Sequence, residues 1–172
     1  MKSNYNLKIN IYALSIVALS LSLILGYIEM LIPFNVGLTG VKLGLSNIIT
    51  LITLKILKIR QVVIINVLRL IIIGVLFGNF MRFLISVSGF VFAILIMILS
   101  IKILNFRIIT SSILGGVFHN IGQVFMVAIL TKNIQIFRLL YIYIIIGALA
   151  GVLIGIISEM CFKSISKVVF EY

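Results

Sequence analysis

The chain has no aspartate, one histidine, one cysteine, one proline and only three acidic residues, Glu29, Glu159 and Glu171, in 172 positions. Each scarcity removes a class of chemistry. Holding magnesium on a diphosphate ordinarily takes clustered carboxylates, and the sequence contains no such cluster. Proton-coupled or sodium-coupled transport ordinarily uses a carboxylate inside a span, whereas these three glutamates fall near span ends or at the terminus. A lone Cys161 forms no internal disulfide, and one cysteine with one histidine completes no conventional zinc or transition-metal site. No G-x-x-x-x-G-K-[ST] loop is present, so this chain does not itself cradle and hydrolyse ATP. No catalytic residue, metal site or cofactor is expected, and any energy coupling is expected to come from a partner.

What is abundant is apolar. Hydrophobic residues make up 63% of the chain and the mean hydropathy is +1.40, values of a multi-spanning membrane protein rather than a globular domain. A span needs about 20 apolar residues to cross about 30 Å of hydrocarbon, and six runs approach that length: 9–31, 41–57, 62–80, 83–104, 111–130 and 139–161. The period-2 alternation of a membrane barrel is absent from them. The expected fold is an all-α membrane protein, a six-transmembrane-helix bundle that forms a single integral membrane domain over residues 1–172. The first run is too long for the apolar core of a secretory signal and has no convincing A-x-A cleavage site, so it is expected to stay as a helix.

A net charge of +11 would point to nucleic acid in a soluble protein, but here Lys and Arg follow the span ends. They read as topological signals, and no nucleic-acid partner is expected. With the N-terminus in the cytoplasm, Lys2, Lys8, Lys55, Lys58, Arg60, Lys102, Arg107, Lys163 and Lys167 fall inside, against Lys42, Arg82, Lys132 and Arg138 outside. That split predicts a multi-pass protein of the cell membrane, embedded in lipid, with both termini cytoplasmic.

Short loops make helices adjacent in sequence antiparallel neighbours in space. The one connection with distinctive chemistry is PFNVGLTGVK, Pro33 to Lys42, where Pro and Gly allow a sharp turn or a lid over a cavity. Small residues line two helices. Ser15, Ala18, Ser22 and Gly26 share one face of the first span, and Gly147, Gly151 and Gly155 repeat every fourth residue in the sixth. Such faces let helices approach closely where lipid offers no hydrophobic driving force. The sixth-span face is expected to pack inside the bundle; for the first-span face, internal packing and docking to another membrane protein stand equal.

Polar residues inside the spans cluster in three places. Lys42 and Ser46 lie one turn apart at the start of the second span with Asn47 alongside, His119 and Gln123 lie one turn apart in the fifth with Asn120 alongside, and Asn66 and Arg69 share a face of the third. At 1.5 Å per residue, Asn47 and Gln123 should lie about 9 and about 10 Å below the outer boundary, and His119 and Asn120 about 15 Å below it. Lys42, Asn79 and Arg82 would sit at the rim. The pattern is an outward-opening polar cup with cations at its mouth, which suits a small, hydrogen-bonding, anionic solute. The alternative is that the amides only tie helices together. His119 is expected to be neutral and bonded to Asn or Gln rather than to a metal. Arg69 must find a partner inside the bundle, either Glu159 or carbonyls near Gly74, and Glu29 is placed to pair with Lys42.

The segments IPFNVGLTGVKLGLSNIITL at 32–51, VLRLIIIGVLFGN at 67–79 and GGVFHNIGQ at 115–123 resemble the Gx transporter family. That family is also catalogued as heptaprenyl diphosphate synthase component I and is similar to the S components of energy-coupling factor transporters. The resemblance spans nearly the whole chain. It implies six helices, an outward-facing small-molecule site for a nutrient such as a vitamin or its precursor, and docking through Ser15, Ala18, Ser22 and Gly26 onto an energy-coupling module, a transmembrane coupling protein with two ATPases. The family's synthase label implies a second role, as a noncatalytic membrane subunit in isoprenoid or quinone biosynthesis or in a membrane redox complex.

Overall fold

Backbone amides in hydrocarbon have no water to bond, so long apolar runs satisfy them within helices. The computed structural model describes residues 2–31, 44–77 and 79–170, and it contains no strand among them. Its helices are α1 (Lys2–Leu31), α2 (Asn47–Ile56), α3 (Ile59–Phe77), α4 (Phe80–Ile98), α5 (Ile108–Thr131) and α6 (Leu140–Phe170). A π-helical turn, Leu99–Ile103, extends α4, and a 3-10 turn, Ile134–Leu139, leads into α6. The protein is the all-α six-helix membrane bundle expected from its hydropathy.

Five stretches are long and apolar enough to cross a bilayer: Ile11–Leu31, Ile59–Phe77, Phe80–Ile103, Ile108–Thr131 and Ile134–Ser166. The second expected span, 41–57, departs from this. Among the described residues its helix has ten residues, about 15 Å of rise, because Gly44 takes φ +76° and residues 44–46 form a turn. Its apolar character has a different origin from that of a lipid-facing span. Leu51 and Leu54 are completely buried, and Asn47, Ile48, Thr50, Ile52 and Thr53 are buried with them. The run is hydrophobic because protein surrounds it.

Each helix meets its sequence neighbours, as short connections require. The bundle closes through α1 against α3 and α2 against α6, while α2 also touches α3 and α5. The α5 helix is gripped on both sides by close backbone approaches. Against α6, a Cβ at Gly151 would lie 2.7 Å from Ile113 Cα and one at Gly155 2.8 Å from Ile109 Cα, while Gly147 meets Gly116. The sixth-span glycine face therefore packs inside the bundle. The small-residue face of α1 is also turned inward: Ala18 and Ser22 are buried, Gly26 lies against Ile73 of α3, and Ser15 and Ser22 return their hydroxyls to carbonyls of their own helix. Within this chain, then, Ala18, Ser22 and Gly26 serve the packing of α1 on the bundle, with Ser15 and Gly26 only partly buried. The opposite face of α1, with Tyr12, Ile16, Val17, Leu21 and Ile24, is exposed and apolar, as a lipid-facing surface must be.

Candidate functional site

Interior polar residues divide by what their side chains do, and one group ties helices together. Thr50 Oγ1 donates to Asn66 Oδ1 at 2.8 Å, joining α2 to α3, and Asn66 Nδ2 donates to the Val62 carbonyl at 2.9 Å. Ser88 Oγ donates to the Gly122 carbonyl at 2.7 Å between α4 and α5. Asn120 Nδ2 donates to the Tyr143 carbonyl at 2.8 Å between α5 and α6. Asn120 is therefore tied into the framework through its Nδ2, a role its spacing alone did not show. Its amide fits because Gly147 has no side chain: a Cβ there would lie 2.9 Å from Nδ2.

A second group is buried where α4 meets α5. His119 and Gln123 pack together over Gly89 of α4, where a Cβ would lie 2.9 Å from Gln123 Cγ and 3.0 Å from His119 Cε1. Between them in sequence, Gly122 meets the α4 backbone, with its Cβ position 2.7 Å from the Ser88 carbonyl oxygen. The two glycines let α4 and α5 touch while leaving room for two polar side chains. Gln123 is 5% exposed and Asn47 7% exposed, yet no described residue hydrogen-bonds either amide. The amide atoms of both side chains are not sealed off, so each keeps hydrogen-bonding capacity that a ligand can use.

Asn47 stands at the start of α2, its Nδ2 against Gly44, with Ile154 of α6 bordering the same turn. Ser46 is buried beside it and makes no side-chain cap bond; its carbonyl accepts from Thr50 Oγ1 at 3.4 Å. Lys42 and the lid-like segment up to it lie outside the described residues, as does the expected Glu29–Lys42 pairing. Asn79 and Arg82 sit exposed where α4 begins, but the Asn79 side chain caps the helix, accepting from the Arg82 backbone N–H at 2.8 Å. Asn79 thus serves the local backbone, and Arg82 remains a cation at the rim.

Arg69 is 6% exposed. Its expected partner Glu159 instead pairs with Lys163, one turn along α6, at 3.1 Å. The guanidinium stem runs beside Gly26 of α1, whose Cβ position is 3.9 Å from Arg69 Cδ, one helical turn from Glu29. Counted from their helix ends at 1.5 Å per residue, Arg69, Gly89 and Gln123 lie about 12–14 Å from the same end of the bundle. Sequence reasoning overlooked Gly44 and Gly89. A signal for Gly89 was available: Ser86, Ser88 and Gly89 interrupt an otherwise bulky span.

The sequence pattern of one protein family, heptaprenyl diphosphate synthase component I, matches residues 18–161. The chain belongs to that family. The matched span holds the buried polar residues Asn47, Thr50, Asn66, Arg69, Ser88, His119, Asn120 and Gln123. No curated protein and no solved structure matches the chain. Among the described residues no three His, Cys, Asp or Glu side chains come together as metal ligands would.

Proposed function

We propose that this member of the heptaprenyl diphosphate synthase component I family is a noncatalytic membrane protein that binds a small, hydrogen-bonding, anionic solute within its bundle for uptake. The observation that carries the proposal is the division among the interior amides. Asn66 and Asn120 are bonded into the framework, whereas Asn47 and Gln123 are buried with no described partner. If amides served only to join helices, all four would be bonded across interfaces. A glycine at position 89 that makes room for His119 and Gln123, and a short helix that begins with buried Gly44, Ser46 and Asn47, fit a site built where a helix is interrupted inside a membrane protein. The basic residues Lys55, Lys58, Arg60, Lys102, Arg107 and Lys163 gather at the opposite end of the bundle from Arg82, Lys132 and Arg138. By the positive-inside rule that end is cytoplasmic, and the end nearer Gln123 faces outward. A resemblance to energy-coupling factor S components supplies the candidate source of energy, a coupling protein with two ATPases.

Native mass spectrometry of the gently purified protein tests the proposal. A small molecule retained by the native chain and lost from the Asn47→Ala, Gln123→Ala double variant, with folding unchanged, is the expected result. The family name favours a second role, as a membrane subunit of an isoprenoid-synthesising assembly. An empty bundle that copurifies stoichiometrically with a prenyl synthase would replace the solute-binding proposal with that one.

A further inference from the structure

The start of α2 carries a charge arrangement that the His119–Gln123 pocket does not use. Gly44 is buried and donates its backbone N–H to Glu29 Oε1 at the end of α1. The turn closes through Asn47 N–H to the Gly44 carbonyl at 2.8 Å and Ile48 N–H to the Leu45 carbonyl at 3.1 Å, bonds that do not use the N–H groups of Leu45 and Ser46. A helix start with free N–H groups attracts anions, but alone it is no site. Two buried polar side chains flank Glu29 here, and neither has a described side-chain hydrogen bond. Asn47, 7% exposed, holds its amide against Gly44, and Arg69, 6% exposed, runs along α1 beside Gly26, one turn from Glu29. A guanidinium inside a span costs on the order of 2.5–3.5 kcal/mol on insertion scales, so its position calls for an anion. Glu29 alone must serve both Arg69 and the α2 turn.

We propose that the α2 turn, Asn47 and Arg69 form an oxyanion site in which Glu29 is the built-in occupant, displaced by a carboxylate or phosphate group when ligand binds. Arg69 presents the planar fork that suits either group, and the α2 N–H groups and the Asn47 amide complete the donor set. For a soluble ligand the site rests on the solute-binding role above and adds what that role leaves open, the charged group by which the solute is held. Displacing Glu29 also frees the end of α1 from α2, so binding and the α1–α2 contact are linked.

The test uses inorganic phosphate as probe. Thermal unfolding of the full chain in uncharged detergent is followed against phosphate concentration, with sodium chloride at matched ionic strength as control. Saturable stabilisation of the native chain is expected. In Glu29→Gln, which keeps an acceptor for the Gly44 N–H and loses the competing charge, the half-saturating phosphate concentration should fall about tenfold, the scale of removing one neighbouring like charge. Arg69→Met should abolish the effect; if that variant does not accumulate, Arg69→Lys should keep a weakened response. An equal, non-saturating rise in every variant is salt exclusion from the surface and overturns the site, as does a Glu29→Gln response no tighter than that of the native chain. Nanodiscs of phosphatidylcholine with and without phosphatidylglycerol separate the sources: stabilisation by the anionic lipid alone assigns the oxyanion to a headgroup. A solute retained undiminished in Arg69→Met would overturn this site while leaving the proposed function standing.

Discussion

Gly89→Ala is the substitution that best separates framework from pocket. The new Cβ would meet only side-chain atoms of His119 and Gln123, at 2.9–3.1 Å. Overpacking costs about 1–3 kcal/mol, and exchanging Gly for Ala inside a helix returns about 1 kcal/mol, so the net loss is about 0–2 kcal/mol. The clash is with side chains that can turn aside and with no backbone, which keeps the loss within that range. Gly122→Ala, on the same interface, is the control. Its Cβ would meet the Ser88 carbonyl oxygen at 2.7 Å and Gly89 Cα at 3.0 Å, all backbone. The helices must part, which also breaks the Ser88–Gly122 bond, worth about 1 kcal/mol. The two variants should differ by about 1–2 kcal/mol, or about 2–8 °C at about 2–4 °C per kcal/mol for a chain of this size. Circular-dichroism melts in one detergent measure the gap, and native mass spectrometry measures solute retention. Gly89→Ala should fold and lose the solute. Equal melting temperatures, or undiminished retention in Gly89→Ala, would refute the assignment of Gly89, His119 and Gln123 to a ligand pocket.

Asn120→Ala should lower stability by about 0.6–1.7 kcal/mol, the range of interhelical hydrogen bonds in membranes, without changing solute retention. Thr50→Val, which removes the α2–α3 tie to Asn66, should destabilise by a similar amount, and the Asn66→Leu background should remove most of that difference in a double-mutant cycle of melts. Gly151→Ala places its Cβ 2.7 Å from Ile113 Cα and 2.8 Å from the Ser112 carbonyl oxygen, so α5 and α6 must separate. Its loss should reach about 1–3 kcal/mol, whereas Leu149→Ala, on the exposed face of the same helix, should stay within about 0.5 kcal/mol in the same melts.

Composition and hydropathy determined by themselves that this chain is a helical membrane bundle, because a bilayer leaves an apolar backbone few other ways to satisfy its polar groups. Helix order, antiparallel neighbours and the inward glycine face of α6 were legible for the same reason, since short connections and close packing are local constraints. Hydropathy could not distinguish α2 from a lipid-facing span, as burial in protein and burial in lipid select the same residues. Spacing placed Asn47, His119, Asn120 and Gln123 in one group, but only packing decided that Asn120 bonds to α6 while His119 and Gln123 lie over Gly89. Likewise, sequence required Arg69 to have a partner inside the bundle, but only the tertiary structure decided that Glu159 pairs with Lys163 and that Arg69 lies beside Gly26 of α1. Which face of a helix meets which neighbour is set by the sum of all interhelical contacts, and no local pattern contains that sum.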